Sequence, residues 1–526
     1  MEFNHADLFE GLADAIGDRR ALVAPGPDGV ERLTFAGLDA YANRLAHHLQ
    51  DAGVGPGQHV GVHLYNGLEY ITTMLAALKL RAVPVNVNYR YVEAELDYLY
   101  RDAELVALVY ESDFEERVTA AAGRTPTLRH RVVSGGTSPH AVAYKDALAG
   151  SPATRGFAKR SGDDVYIIYT GGTTGMPKGV VWRCEDLFMA FGGGNPYGEP
   201  RKTPGEVIEA ARASGGVVMM TAAPLMHGAA QMTTFLSWWM GGSVVYNRRF
   251  DAAEILRTVE AEKVVTLGIT GDAMARPLAD AIAAGSYDLS SLAALSSTGA
   301  ILSGSVRERL RELLPNVMII DSFGSSESGY TASGLEGSTP ESGLRYRPNI
   351  TSLRVLGDDL RPVEPGSGTI GQIARTGHIP LGYWNDEDKT ARTFVEVDGE
   401  RWLLTGDIAT LEADGTVSVL GRGSQCINTG GEKVFPEEVE AVLKGHPAVF
   451  DVVVTGVSDE MFGQRVAAVV QPYGDAAPSA DDLDAHCRSR LSGYKVPRTY
   501  AFVAELQRSP AGKADYRWAR KVAEQA

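Results

Sequence analysis

The chain has 526 residues, of which 44% are hydrophobic and 22% charged, a composition typical of globular proteins. Its formal net charge of −16 argues against general nucleic-acid binding but allows a local basic pocket. The three cysteines lie far apart without a C-x-x-C pair, which excludes a disulfide framework or zinc ribbon and is typical of a reducing compartment.

The first 18 residues are acidic and lack the basic start and apolar core of a signal peptide. No window reaches the roughly 18 uninterrupted apolar residues of a membrane span. The strongest candidate, 71–85, is interrupted by Lys79 and Arg81. We therefore expect no membrane span and a soluble, cytoplasmic protein.

Helices alternate with short apolar strands over 34–90, and the alternation returns over 243–330. This pattern indicates α/β architecture with largely parallel sheets, here two doubly wound α/β subdomains. The predicted elements are helices 35–51 and 67–80 with strands 58–64 and 82–87, then helices 251–261, 272–284 and 303–314 between further strands.

Two later segments have a different composition and different predicted secondary structure. Residues 192–216, rich in glycine, proline and charge, are predicted to be a surface insertion or lid with one helical turn. Short strands and turns after 343 indicate a β-rich subdomain. We expect an N-terminal domain over 1–421, a hinge at 422–425, and a small mobile α+β domain over 426–526.

A glycine-rich loop, YTGGTTGMPKG at 169–179, follows a predicted strand. It is not a Walker loop, because Lys178 is preceded by Pro177 and followed by Gly179, and it lacks G-x-G-x-x-G. Its threonine hydroxyls and bare glycine N–H groups are suited to a polyphosphate. A glycine-rich hairpin without a ligand remains the alternative.

Together with six further blocks in the same order, this loop resembles the adenylate-forming superfamily of acyl-CoA synthetases, peptide-synthetase adenylation domains and luciferases. The similarity extends over nearly the whole chain. The further blocks are APLMHG (223–228), DSFGSSESG (321–329), GYWNDEDKT (382–390), LLTGDIA (403–409), GRGSQCINTGGEKVFPEEVE (421–440) and RSPAGKADYR (508–517).

The resemblance implies that a carboxylate attacks the α-phosphate of ATP, giving an acyl-adenylate and pyrophosphate. Positioning and charge neutralisation dominate such transfers. It implies ATP, Mg²⁺ and CoA as cofactors. It assigns the β- and γ-phosphates to Thr170, Gly171, Gly172, Thr173, Thr174 and Gly175, assisted by Lys178.

The resemblance assigns Mg²⁺ to Glu327, the ribose hydroxyls to Asp407, and ribose and phosphate to Arg422. Lys513 matches the catalytic lysine that reaches the α-phosphate. The catalytic set it implies is Lys513, Glu327, Thr170 and His227. Without the resemblance, Glu327 and Asp407 would be interpreted as turn residues, Arg422 as part of a linker salt bridge, and Lys513 as a solvated surface lysine.

The carboxylate pocket is expected to involve His227 and the loops 297–301 and 321–324, and Gly299, Ala300 and Phe323 are expected also to flank adenine. The remaining predicted contacts are Gly299, Ala300, Asp321, Ser322, Phe323, Gly324 and Ser326. Phe323 replaces the family's tyrosine and Ser326 its threonine. Ser424 stands where the family hinge carries Asp or Lys, so its lost charge is expected to change the balance between two orientations of the C-terminal domain.

Gly430 and Gly431 resemble the loop beside the pantetheine arm of CoA. Lys495 and Arg498 are expected either to meet CoA phosphates or to be solvated surface charges. The sequences of segments 83–91 and 426–440 are most similar to those of bacterial fatty-acid or steroid-side-chain CoA ligases. This similarity implies that the substrate is a bulky apolar acid. We expect no carrier domain after Lys513, and a homodimer is a further possible arrangement.

Three alternatives remain. The first alternative keeps adenylation, but the acceptor is an amine or a carrier protein, or a small oxyacid is activated in place of a bulky one. A non-catalytic binding regulator would have lost Lys513, Asp407 or Glu327, which are all present. A P-loop kinase would release ADP in place of AMP and pyrophosphate.

Overall fold

We analysed a computed structural model of the chain. It describes residues 2–26, 29–171, 176–196, 198–300, 302–334, 344–350, 352–429, 432–474, 477–508 and 513–526. Within these ranges the helices are α1 His5–Ile16, α2 Phe35–Asp51, α3 Leu68–Lys79, α4 Glu93–Asp102, α5 Glu115–Ala122, α6 Tyr144–Ala149, α7 Cys184–Ala190, α8 Pro204–Ala213, α9 Gly228–Trp239, α10 Ala252–Glu262, α11 Gly271–Ala284, α12 Gly304–Leu313, α13 Glu387–Thr393, α14 Pro436–Lys444, α15 Ala480–Arg488 and α16 Tyr516–Ala523.

Sheet 1 has eight strands in the described part of the chain. In spatial order they are β19 Gly382–Tyr383, β9 Lys178–Arg183, β8 Val165–Thr170, β4 Val83–Asn86, β3 His59–His63, β5 Leu105–Glu111, β6 His130–Ser134 and β7 Val142–Ala143. The chain leaves β3 towards β4 on one side and then places β5 on the other, and both of these pairs are parallel, whereas β8–β9 and β9–β19 are antiparallel. This confirms the predicted doubly wound arrangement.

Sheet 2 contains fourteen of the described strands. They run in the order β17 Leu353–Leu356, β18 Ile370–Arg375, β21 Glu400–Leu411, β22 Val417–Arg422, β16 Leu344–Pro348, β15 Gly329–Gly334, β14 Met318–Ser325, β13 Ala294–Thr298, β12 Thr266–Ile269, β10 Val218–Thr221, β11 Ser243–Val245, β1 Arg20–Gly26 and β2 Gly29–Thr34, with β20 Phe394–Val397 beside β21.

Strands β10 to β14 pair in parallel and form the second doubly wound part, whereas β14 to β22 pair antiparallel. The predicted β-rich subdomain therefore continues the same hydrogen-bonded sheet. The antiparallel β14–β15 pair forms the junction. The turn between these two strands lies where the parallel and antiparallel halves meet.

Sheet 3 is built from strands that all follow Gln425: β24 Glu432–Val434, β23 Ile427–Thr429, β26 Gly463–Pro472, β25 Val449–Asp459 and β27 Thr499–Phe502. Helices α14, α15 and α16 bury their apolar residues against it in clusters of their own. A single 3₁₀ turn, Gly423–Gln425, connects β22 to β23. The small α+β domain is thus present, while its predicted boundaries remain a prediction.

The segment 192–216 differs from the prediction of one helical turn. It contains the ten-residue helix α8, whose N-cap Thr203 accepts the Glu206 N–H at 3.2 Å. Arg19 donates to the carbonyls of Ala211 and Ser214 at 2.9 and 2.7 Å, at the helix C-terminus. The segment therefore contains a capped helix that hydrogen bonds from Arg19 hold against the N-terminal domain, while its role as a lid remains a prediction.

Among the described residues, no helix combines the length and apolar character that crossing a bilayer demands. Helix α3, from the most apolar predicted stretch, ends in a fully buried lysine. Lys79 Nζ lies 2.6 Å from Glu10 Oε1 and 2.7 Å from Asp39 Oδ1. The lysine that interrupts the apolar run is therefore part of an internal ion-pair network.

Candidate functional site

The glycine-rich loop connects β8 to β9 as an antiparallel hairpin, with Thr170 opposite Lys178. Thr170 and Gly171 are half-buried at its base. Lys178 Nζ lies 3.0 Å from Asp386 Oδ2, so its charge already has a carboxylate partner. The predicted contacts Gly172, Thr173, Thr174 and Gly175 lie outside the described residues.

A buried asparagine joins this hairpin to the loop 223–228, which carries His227. Asn86 Nδ2 donates to the Tyr169 carbonyl at 2.8 Å and to the Met226 carbonyl at 2.7 Å. Asn86 Oδ1 accepts the Tyr169 N–H at 2.8 Å. Sequence reasoning missed Asn86, although an amide at the last position of a buried strand was an available signal. It sets the spacing between the two loops.

His227 precedes the first residue of α9 and is half-buried. Burial lowers the pKa of its imidazole to about 4, and the neighbouring positive charges of Arg90 and Lys513 act in the same direction. The ring is therefore neutral at pH 7. A neutral ring at this position can line the acyl site, as predicted, without bringing another cation to the cleft.

Glu327 lies in the β14–β15 turn, and sheet 1 holds this turn in place. The Tyr383 hydroxyl on β19 donates to Glu327 Oε1 at 3.0 Å. Trp182 Nε1 on β9 donates to the Ser326 carbonyl at 2.9 Å. Two aromatic residues that the sequence analysis did not select thus position the predicted metal-binding carboxylate between the two sheets.

The described residues contain no group of three or more His, Cys, Asp or Glu side chains that could hold a metal ion. Glu327 fits a different kind of site. Mg²⁺ is commonly bound through one or two carboxylates, substrate phosphates and water. The single carboxylate of Glu327, near the base of the glycine-rich hairpin, suits that arrangement.

Asp407 on β21 and Arg422 on β22 are direct cross-strand neighbours. Arg422 Nε lies 2.8 Å from Asp407 Oδ1, and Arg422 Nη1 donates to the Thr405 carbonyl at 2.9 Å. Burial raises the pKa of Asp407, and the Arg422 charge opposes this shift. The arginine thereby keeps a buried carboxylate available as a hydrogen-bond acceptor.

The C-terminal domain brings Lys513 into the same cleft. Lys513 is exposed, but surrounding protein atoms partly desolvate its ammonium group and lower its pKa. Arg422 adds to this shift, while Glu327 and Asp407 oppose it. Charges separated by up to 186 positions (513 − 327) in the sequence therefore converge at one point.

Gly299 and Ala300 are exposed where β13 ends, and Gly299 has φ +80°, a conformation that favours glycine. This edge is the carboxyl end of the parallel strands, where open α/β sheets bind ligands. Phe323 is half-buried and packs against Tyr346 with ring centroids 5.3 Å apart. Nearby Ser322, Gly324 and Ser326 are also half-buried, and all these nucleotide contacts remain predictions.

Asp321 faces the protein interior. Its Oδ2 accepts from Arg307 Nη2 at 2.8 Å and from the Tyr346 hydroxyl at 3.4 Å. Burial raises its pKa to about 6, which the Arg307 charge opposes. The carboxylate thus belongs to an internal network that supports the strand, and nucleotide contact by Asp321 remains a prediction.

The two expected CoA-phosphate ligands already have protein partners. Lys495 Nζ lies 2.5 Å from Glu438 Oε2, and the Arg498 guanidinium stacks 4.4 Å from the Phe462 ring centroid. Their role towards CoA remains a prediction. Gly430 and Gly431 lie outside the described residues.

Comparisons with known proteins agree with this geometry. The AMP-binding enzyme family model matches residues 9–384, and the model of the AMP-binding enzyme C-terminal domain matches 438–513. A medium/long-chain-fatty-acid and 3-oxocholest-4-en-26-oate CoA ligase from Mycobacterium marinum is 47% identical, covering 100% of this chain and 97% of the relative.

A 3-oxocholest-4-en-26-oate CoA ligase from Rhodococcus rhodochrous is 46% identical, covering 99% of this chain and 96% of the relative. The crystal structure of an anthranilate CoA ligase in complex with anthranoyl-AMP matches with a TM-score of 0.84 and 26% identity, covering 99% and 97% of the two chains. The chain belongs to the AMP-binding enzyme family.

Proposed function

We propose that this protein activates a carboxylic acid with ATP as an acyl-adenylate and then transfers the acyl group to CoA. The observation that carries this proposal is the convergence of Lys513, Glu327, Asp407 and Arg422 in one cleft that both domains line. It is supported by the full-length similarity to fatty-acid and steroid CoA ligases. A bulky apolar acid, either a medium- to long-chain fatty acid or a steroid side-chain acid, is the proposed substrate.

In the first step a carboxylate oxygen bonds to the α-phosphorus of ATP, and the bond from that phosphorus to the bridging oxygen of pyrophosphate breaks. In this proposal Lys513 neutralises the charge that develops between carboxylate and phosphate. Asp407 accepts the ribose hydroxyls, and Arg422 orients the phosphate. Mg²⁺, held by Glu327, would neutralise charge on the phosphates.

In the second step the CoA thiolate sulfur bonds to the acyl carbon and AMP leaves. We propose that the C-terminal domain turns about 422–425 between the steps and withdraws Lys513 from the cleft. The free, buried thiols of Cys184 and Cys487 support a reducing, cytoplasmic location.

A pyrophosphate-release screen over carboxylic acids of graded size, with and without CoA, tests the proposal. We expect AMP and pyrophosphate from bulky apolar acids, and an acyl-CoA product only when CoA is present. Product formed without CoA but with an amine would refute the CoA-ligase function. Release of ADP would refute adenylation itself.

A further inference from the structure

Lys389 on α13 lies beside the groups proposed to hold ATP. Its Nζ lies 3.8 Å from the centroid of the Tyr383 ring, whose hydroxyl donates to Glu327 Oε1 at 3.0 Å. Its backbone N–H donates to Asp386 Oδ1, also at 3.0 Å, at the start of the helix. One tyrosine therefore joins the Lys389 ammonium to the proposed metal-binding carboxylate.

Two of the neighbouring cations among the described residues have carboxylate partners at close range. Lys178 pairs with Asp386 at 3.0 Å, and Arg422 pairs with Asp407 at 2.8 Å. In the part of the chain that the structure describes, no carboxylate oxygen lies within ion-pair distance of Lys389 Nζ.

Lys389 is half-buried, and desolvation lowers its pKa, although the charges of Glu327 and Asp386 oppose the shift. Contact with one aromatic face only partly replaces the lost hydration of an ammonium group. A half-buried cation that has no ion-pair partner among the described residues, in a cleft proposed to receive a polyphosphate, is best compensated by the ligand itself.

We propose that Lys389 binds the pyrophosphate portion of ATP and retains it as the leaving group. This rests on the proposed adenylation function. Tyr383 couples Lys389 to Glu327, and the Lys178 charge acts on Lys389 from the base of the phosphate hairpin. The lysine thus belongs to the β- and γ-phosphate side of the cleft, while Asp407 is assigned to the ribose.

The test compares Lys389→Met, Lys389→Arg and the control Arg392→Met. Methionine keeps an apolar stem on the Tyr383 ring but removes the charge, and Arg392 is an exposed cation of the same helix. We expect Lys389→Met to raise KM for ATP and the calorimetric Kd of magnesium pyrophosphate by about tenfold or more, since one charge-assisted contact is lost. KM for the acid should not change.

Lys389→Arg should restore most of the pyrophosphate affinity, and Arg392→Met should resemble the unmodified enzyme. Unchanged pyrophosphate affinity in Lys389→Met would overturn the proposal. Equal losses for ATP and acid with a lowered melting temperature, not rescued by arginine, would show a structural role and overturn it too. Failure of the adenylation function is a separate result, because the unmodified enzyme would then release no pyrophosphate with any acid.

Discussion

Arg422 and Asp407 form a cross-strand ion pair of 2.8 Å at the point where the large domain ends. The backbone N–H of Arg422 also donates to Glu437 Oε1 on α14 at 3.2 Å. The proposed ribose-binding carboxylate is therefore joined through one arginine to the first helix of the C-terminal domain. The proposed nucleotide binding and the proposed rotation of the C-terminal domain therefore involve the same residue.

Asp407→Asn should weaken ATP binding selectively. The substitution removes a charged hydrogen-bond acceptor and leaves Arg422 without its carboxylate partner. Such bonds contribute about 1.5–3 kcal/mol, so KM for ATP should rise roughly 10- to 100-fold. Steady-state kinetics with varied ATP and varied acid measure this. Asp398→Asn, in an exposed turn, is the control, and an unchanged KM for ATP would contradict the ribose assignment.

Lys513→Ala should abolish adenylate formation and spare thioester formation from synthetic acyl-adenylate. The lysine neutralises charge only in the first transition state, and removing such a group commonly costs about 100-fold or more in rate. Rapid-quench assays of each half-reaction separate the steps. If both rates fell equally, the assignment of Lys513 to the first step alone would be wrong.

Ser424→Pro should impair one half-reaction selectively. Ser424 lies in the 3₁₀ turn Gly423–Gln425, and proline would restrict the backbone rotation that we propose for the hinge. The same two assays measure the effect, with Ser424→Ala as the control for the hydroxyl. Equal rates for the proline variant and the unmodified enzyme would place the hinge elsewhere.

Asn86→Ala should reduce activity without removing any group that contacts the substrates. It leaves the buried carbonyls of Tyr169 and Met226 without their donor, at a cost of about 1–3 kcal/mol. Thr170 and His227 should then lose their fixed spacing. We expect a lowered kcat and a lower melting temperature. Asn385→Ala, an exposed side-chain donor to the Asp102 carbonyl, is the control, and an unaltered kcat for Asn86→Ala would contradict this role.

His5→Phe should make the protein less sensitive to acid. His5 is fully buried and packs against both Phe235 and Trp239, and burial lowers its pKa to about 3. The unfolded chain binds this proton near pH 6.5, so stability is complete above that pH and falls as pH decreases towards 3. At pH 5 the free energy of unfolding is lower by about 2 kcal/mol because of His5, and the phenylalanine variant should not show this decrease. Melting temperatures at pH 5.0 and 7.5 measure it; an unchanged pH dependence would contradict it.

Local patterns in the sequence were sufficient for the helices and for the main motifs. Helix 35–51 coincides with α2, whose N-cap Thr34 accepts the Gly37 N–H at 3.1 Å, because capping and apolar periodicity act over a few residues. The length of helix α8 was underestimated, because the hydrogen bonds at its C-terminus come from Arg19, nearly 200 residues away in the sequence. The long sheet 2 was also missed, because the β14–β15 pairing that extends it depends on tertiary packing.

The sequence by itself identified five charged groups of the proposed site, Lys178, Glu327, Asp407, Arg422 and Lys513, from short motifs that resemble those of the adenylate-forming superfamily. Only the tertiary structure decided how they are held and balanced. Tyr383 orients Glu327, Asp386 neutralises Lys178, and Asn86 links two loops. These partners carry no motif of their own, because a hydrogen bond or ion pair depends on distance in space and not on spacing along the chain.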